Sequence, residues 1–256
     1  MTSLQHYSIA LVIFGSATAA FAQNAEQEAE QKGGLTIGLG AWGSSVPFED
    51  VDDEANGGVV PWIAYENAWI SVDPSGLALT VGGLGPVALQ AVAAPRWVFA
   101  DPSDYGPYSD MKRDVGLDVG GRALVGIGSF GVMAEYLIDV SHVSDGAQAV
   151  LAGQWETAFG GRYGLGLQLG GRWRDAASGQ FDFGVYTDEA APGRPAYKPD
   201  DSISPFVGVI GTAKVSGRTS VVTAIETEVL AETLTDSPII EEKPLISGFT
   251  AIVFAF

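Results

Sequence analysis

The chain has 256 residues with 31 acidic against 13 basic side chains, a formal charge of −18, and no cysteine. That balance excludes a nucleic-acid binder, whose affinity comes from Lys and Arg on phosphates, and the missing thiols exclude a disulfide framework, a thiolate metal site and a lipoprotein anchor. With 46% hydrophobic and only 17% charged residues it is not an acidic disordered chain either, and no stretch past the N-terminal region approaches the ~18 continuous apolar residues of a membrane helix.

The N-terminal element reads as a signal peptide over residues 1–22. Ile9 to Phe14 is a short apolar core, and Ala20-Phe21-Ala22 fits a small-residue cleavage step, after which Gln23 begins the mature chain. The n-region departs from the usual pattern in carrying only His6 and the terminal amine. Residues 23–34, rich in Gln and Glu, form a polar leader. From Leu35 onward the hydrophobicity alternates with a period of two, the signature of strands with two different faces.

The clearest strand is Tyr163 to Trp173, where Tyr163, Leu165, Leu167, Leu169 and Trp173 share one face while Gln168 and Arg172 share the other with Gly164, Gly166 and Gly170. Apolar outside, polar inside and aromatic at the ends is how a membrane-spanning strand of about ten residues is written. The pattern recurs. Val115, Leu117, Val119, Ala123 and Val125 oppose Asp118 and Arg122; Val132, Ala134, Tyr136, Ile138 and Val140 oppose Glu135, Asp139 and Ser141; Val221, Ile225 and Val229 oppose Ser220, Glu226 and Glu228. Charges on a lipid-facing surface cost about 2 to 4 kcal/mol for Arg or Lys at the midplane, so they belong to a lumen, where Arg122 or Arg172 can pair with Asp118, Glu135 or Asp139.

The fold class expected is all-β, a transmembrane antiparallel up-and-down barrel over residues 35–256 with ten to twelve strands, twelve preferred. Candidate strands run 35–46, 57–66, 68–73, 77–84, 86–99, 114–125, 131–141, 147–159, 163–174, 180–186, 203–213 and 218–230, with 245–256 as a thirteenth. An even count requires one of these to fail: either the pair around Asp73 to Gly76 is a single bent strand, or 180–186 is not a full crossing. Gly126 to Phe130, Gly160-Gly161 and Ser216-Gly217 read as tight turns, whereas Ser44 to Gly58, Ala100 to Arg113, Thr187 to Ser202 and Ala231 to Pro244 read as long loops.

Candidate chemistry is sparse. His142 has Asp139, Ser141, Ser144 and Asp145 nearby, but Ser141 and His142 are adjacent and point to opposite faces of a strand, so local sequence builds no triad. In the acidic run Glu49 to Gly57, Asp52, Glu54, Asn56 and Gly57 stand at calcium-loop offsets, yet position twelve is Ile63 where a bidentate Glu is needed. No metal, cofactor or catalytic residue is expected. Gly82-Gly83-Leu84-Gly85 lacks the Lys-Ser/Thr of a phosphate loop. The six tryptophans are read as interfacial anchors.

The chain ends on an apolar segment with Ile246, Ile252, Phe254 and Phe256 on one face. It resembles the closing strand of bacterial outer-membrane barrels, whose terminal aromatic is read by the barrel assembly machinery. Ile252, Phe254 and Phe256 are the candidate membrane-assembly residues.

Phe183-Gly184-Val185-Tyr186-Thr187-Asp188-Glu189-Ala190-Ala191, followed by Pro195-Ala196-Tyr197, resembles the "YFGV-T-x-E-x-A … PAY" stretch of the MipA/OmpV family of outer-membrane proteins. Val229 to Ile240 resembles that family's "LLGDAADSPIV" loop, Val60 to Tyr65 its "LPLLDY", and Asp139 to Gly146 its "DVSGGH-G" hairpin. Ala231-Glu232 stands where the family usually has Gly-Asp, and one residue is added before Asp236. The resemblance implies a non-enzymatic scaffold in the Gram-negative outer membrane, in contact with lipid and lipopolysaccharide, that binds a lytic transglycosylase and links it to a peptidoglycan synthase. Asp236, Ser237, Pro238, Ile239 and Ile240 form the candidate interaction loop. The alternatives are a small cation-preferring channel, since an acidic lumen of twelve strands could conduct, or a surface adhesin.

Overall fold

In the computed structural model, residues 34–51, 56–98, 100–241 and 244–256 are described, and among them twelve antiparallel strands close into one barrel. They are β1 (Gly34–Ser44), β2 (Asn56–Glu66), β3 (Ile70–Asp73), β4 (Gly76–Leu84), β5 (Val87–Arg96), β6 (Gly116–Ile127), β7 (Phe130–Asp139), β8 (Ala147–Phe159), β9 (Tyr163–Arg174), β10 (Ser202–Lys214), β11 (Thr219–Glu228) and β12 (Leu245–Ala255). Each strand pairs with its neighbours in sequence, and β12 returns to β1 with Ile37 opposite Phe254 and Leu39 opposite Ile252. The signal peptide and most of the polar leader expected over 1–34, and Asp52 and Glu54 of the calcium-like run, lie outside the described residues.

Of the two ways to an even strand count, the structure takes the second. Residues 180–186 are not a strand: Asp175 caps a short helix, α1 (Ala176–Phe183), and Val185 makes only an isolated bridge to Tyr197. Asp175 outcompetes an extended start because its Oδ1 accepts the Ser178 N–H at 2.7 Å, satisfying a donor at the first helical turn. The pair around Asp73 to Gly76, by contrast, is a true hairpin, β3 against β4.

The alternation is met by the burial. Along β9 the side chains of Leu167 and Leu169 are exposed while Gln168, Arg172 and Arg174 are buried. Large apolar side chains are exposed in register around the wall, among them Leu39, Leu151, Leu169, Ile225 and Ile252. A continuous apolar band on a closed antiparallel barrel is a lipid-facing surface. Trp69, Phe130, Phe159, Tyr163, Phe254 and Phe256 stand at the short-turn ends of their strands and are exposed, with Phe159 stacked on Tyr163 and Phe254 edge-on to Phe256. That ring is an interfacial aromatic girdle. The tryptophans divide: Trp42 and Trp62 have the parity of Gly40 and Val60 and point into the barrel, not to the interface.

Connections at one end are short, such as Gly160-Gly161 with φ of 61° and 64°, which glycine adopts without strain. At the other end four connections are long, spanning 45–55, 97–115, 175–201 and 229–244. Both described chain ends lie with the short turns.

Inward glycines let neighbouring strands approach. A Cβ at Gly120 would fall on the carbonyl oxygen of Tyr136, while one at Gly121 would meet only Gln90 O at 3.7 Å. Gly120→Ala is therefore expected to destabilise the barrel by about 1–3 kcal/mol and Gly121→Ala to leave it unchanged; urea unfolding of the two variants in lipid vesicles checks this, and equal midpoints would be the contrary result.

Candidate functional site

The strand ends beneath the long loops carry the charges that sequence parity placed in the lumen. Arg172 pairs with Glu226 at 3.2 Å and with Glu228, and Arg174 pairs with Glu228. Arg96 Nε lies 3.1 Å from Asp118, whose other oxygen accepts from Gln148. Arg122 pairs with Glu135 at 2.6 Å. Of the expected pairings Arg122–Glu135 is present, whereas Arg172 takes its partners from β11 and Asp139 takes none of the arginines. Asp139 instead accepts from the N–H groups of Ser141, Ser144 and Asp145, holding the 140–146 turn.

Helix α1 sits on this charge layer. Arg96 Nη1 donates to Ser178 Oγ at 2.9 Å, Arg174 Nε lies 3.4 Å from Asp182, and Asp175 Oδ2 accepts the Ala147 N–H. Burial pushes the Asp182 carboxyl up, with Arg96 and Arg174 pulling against it. The arginines also lie over aromatic rings, Arg174 over Phe183 at 5.2 Å and Arg172 over Phe206 at 5.4 Å, so each is stabilised on its face as well as its edge. Arg174 and Glu228 are almost wholly buried.

Above the helix the four long loops share a hydrophobic core. Val46 and Phe48 come from the first, Tyr105, Tyr108 and Met111 from the second, Phe183 and Val185 from the third, and Leu230, Leu234, Ile239 and Ile240 from the fourth. Backbone bonds join the first loop to the last, Glu49 N–H to Ile239 O and Glu241 N–H to Pro47 O. Arg113 pins the second loop to the third, donating to Phe181 O and Gly184 O and pairing with Glu189 at 3.0 Å through Nη2. Arg194 does the same in reverse, donating to Pro107 O and pairing with Asp110. The result is a lid with its own core, seated on a paired charge layer inside the barrel mouth.

The sequence-derived candidates fall in three places. Asp236 is exposed and Pro238 half-exposed, but Ser237, Ile239 and Ile240 are buried in the lid, so most of the candidate interaction loop is interior. It also lies at the end away from the chain termini. Ile252, Phe254 and Phe256 face outward on β12, and the Phe256 N–H donates to Leu35 O as the last rung of the seam. His142 contacts Asp145 at 2.8 Å, while the hydroxyls of Ser141 and Ser144 donate to Asp139, so neither serine is bonded to the imidazole. Among the described residues no group of three His, Cys, Asp or Glu is arranged to hold a metal. Arg96 and Arg174 were legible from inward parity and missed; Glu189 stood in the family-like Phe183–Ala191 stretch without a role assigned to it, and Arg113, in a loop without periodicity, carried no signal.

A family model described as MltA-interacting protein MipA matches residues 37–256. Comparison with curated proteins finds no match. Among solved structures the chain is similar to the translocator domain of autotransporter NalP from Neisseria meningitidis, at 9% identity over 97% of this chain and 100% of that one with a TM-score of 0.45. It is also similar to the COG4313 outer membrane channel from Pseudomonas putida F1, at 10% identity over 87% and 96% with a TM-score of 0.44.

Two outcomes are expected. Arg172→Met strands Glu226 in the buried layer and leaves Glu228 with Arg174 alone, and should lower stability by about 3–5 kcal/mol, read by urea unfolding in vesicles; a loss below about 1 kcal/mol, the range of exposed pairs, would contradict the layer's role. Asp145 raises the His142 pKa, first by its hydrogen bond and then by its charge. The contact therefore favours folding below the free-histidine value of about 6.5, and that contribution is lost as pH rises through the higher folded pKa. An NMR titration should place His142 above free histidine and Asp145→Asn should bring it back.

Proposed function

The chain belongs to the MipA family, and on that footing we propose that it is a non-enzymatic scaffold in the Gram-negative outer membrane that docks peptidoglycan-remodelling enzymes on its periplasmic face. In this reading residues 1–22 direct export and are removed, residues 23–34 are the polar leader of the mature chain, and Phe256 presents the closing strand to the assembly machinery. The lytic transglycosylase named by the family description is the first partner to test, and a peptidoglycan synthase the second.

The observation that carries the reading is the closed mouth. A lid with its own hydrophobic core over a paired charge layer fills the extracellular end, which disfavours a through-channel and leaves the surface as the working part. The short-turn end supports docking there. On a chain of charge −18, that rim exposes Arg162, Lys214 and Arg218 close together, with Lys214 N–H bonded to Arg162 O. A basic rim on an acidic protein attracts and orients an acidic partner. Asp236 to Ile240, at the opposite end, serve the lid in this reading.

A pull-down of the folded barrel with the lytic transglycosylase should recover a complex that Arg162→Glu with Arg218→Glu weakens by about ten-fold, the scale of a lost 1.4 kcal/mol. Failure to recover the enzyme, with a control pair intact, removes the scaffold reading. Planar-bilayer recording separates the channel alternative: silence is expected, and stable cation-selective steps would favour a pore.

A further inference from the structure

The arginines inside the barrel are already paired: Arg96 with Asp118, Arg122 with Glu135, and Arg172 and Arg174 with Glu226 and Glu228. Asp73, the last residue of β3, has no basic partner. Its Oδ1 accepts the N–H and the hydroxyl of Ser75, which folds the β3–β4 turn, and its Oδ2 accepts nothing. A carboxylate in the wall of a transmembrane barrel is costly without a counter-charge.

Asp73 lines a small pocket with Ser71, Ser75 and Arg122, walled by Ala78 and Val92 and with room for one water-sized group. Arg122 gives both Nε and Nη2 to Glu135, so that pair is neutral and the charge of Asp73 is left uncancelled. The occupant that fits is compact, positive and rich in donors. A primary ammonium group is all three: it is close to water in size and carries N–H donors for Asp73 Oδ2 and for the hydroxyl oxygen of Ser71. A trimethylammonium group is larger and has no N–H, and a guanidinium is wider than the pocket. A divalent metal needs more anionic ligands than Asp73 supplies, and among the described residues no group of three His, Cys, Asp or Glu stands together.

Beside the pocket the wall has an open edge. Hydrogen-bonding direction alternates along an antiparallel strand. Phe256 N–H to Leu35 O sets the odd residues of β1 toward β12, so the odd residues of β2 face β3. The β2–β3 ladder stops at Tyr65 opposite Val72, because the next rung would set Ile63 against Pro74, which has no N–H to give. Val140 N–H to Leu117 O likewise sets the odd residues of β5 toward β4, where the ladder stops at Leu77 opposite Ala93 and Pro95 follows. The backbone carbonyls of Val59, Pro61, Ile63 and Pro95 therefore meet no donor among the described residues. The prolines make this edge richer in acceptors than in donors and unsuited to the addition of another strand. Val59 and Ile63 point outward and are exposed, so the edge opens toward the leaflet. Such an edge survives in a membrane only where it is wet or covered by polar groups, which favours a hydrated headgroup over an acyl chain.

We propose that the pocket at Asp73 is a binding site for a primary ammonium group, with Asp73 Oδ2 as its counter-charge, Ser71 as a further acceptor, and the open edge between β2 and β5 as the side on which a headgroup enters. Two sources carry that group. One is an aminophospholipid, whose tails stay in the bilayer and whose phosphate oxygens take the N–H groups of Val59 and Ile63; the other is a free amine arriving through the lumen. The site is separate from the basic rim and does not depend on the scaffold reading.

The full chain is reconstituted in vesicles of mixed phosphatidylethanolamine and phosphatidylcholine in sodium chloride, released into mild detergent, and the retained lipids are counted by native mass spectrometry. Phosphatidylethanolamine should be retained over phosphatidylcholine by about ten-fold, the scale of one charge-assisted hydrogen bond. Asp73→Asn should bring the two lipids to parity, heat-modifiable gel mobility confirming its fold. Ser71→Ala, which leaves the turn and the charge in place, should lower the preference part of the way. In vesicles of phosphatidylcholine alone, ethanolamine added to the water, but not choline, should raise the urea midpoint of the wild type and leave that of Asp73→Asn unchanged if the free amine is a source. Lipid retention without an ethanolamine effect assigns the site to the headgroup, and an ethanolamine effect without lipid retention assigns it to the free amine. Absence of both, or a preference that Asp73→Asn leaves intact, would overturn the site.

Discussion

A sheet in hydrocarbon has no water to bond its backbone, so every N–H and C=O on the wall must find a partner within the chain. That requirement makes the β1–β12 seam the interaction on which the rest depends: eleven hairpin pairings without it leave two open edges, and with it the edges vanish except beside β3. The apolar band, the aromatic girdle and the inward glycines are consequences. Once the sheet is closed, alternation assigns each side chain to lipid or lumen, and glycines such as Gly120 allow the strands to approach where a Cβ would strike a neighbouring carbonyl.

Closure creates a second problem, a narrow interior of low dielectric into which the even periodicity delivers charges. An unpaired arginine there is costly, and pairing repays the desolvation only when the geometry is good and the remaining donors are used. The chain meets this by concentrating charge at the strand ends, where Arg172 and Arg174 on β9 meet Glu226 and Glu228 on β11, and by laying helix α1 across the layer so that Ser178 and Asp182 take up further contacts. Beside the charges Met133, Val150, Ala152 and Phe206 pack as an apolar cluster, with Val150 opposite Arg172 and Phe206 opposite Glu228.

Most of the wall was legible because a period of two is local: Leu165, Leu167 and Leu169 against Gln168 and Arg172 require no knowledge of neighbours. Pairing partners were legible only where two charges sat opposite on adjacent strands, as Arg122 and Glu135 do. Arg172 finds Glu226 and Glu228 across β10, a separation the pattern of one strand does not carry. The lid was read as loops because its core is assembled from four segments, each with only two to four buried apolar residues and no periodicity. Helix α1 was mistaken for a strand for a related reason: Phe181 and Phe183 alternate, and the cap at Asp175 that decides the matter lies five residues earlier than the apparent strand. The tryptophan assignment failed at Trp42 and Trp62 because residue type was weighed above parity.

The seam also sets an order of events. Its rungs join residues more than two hundred positions apart, from Ser44 with Ser247 to Leu35 with Phe256, so they are the most non-local contacts in the sheet and carry the largest loop-closure entropy. Until the last strand arrives, β1 and β11 each present an unpaired edge, the surface on which chains aggregate. The barrel therefore cannot mature gradually from its N-terminus. Its sheet is rid of those two edges only when the C-terminal strand docks on β1.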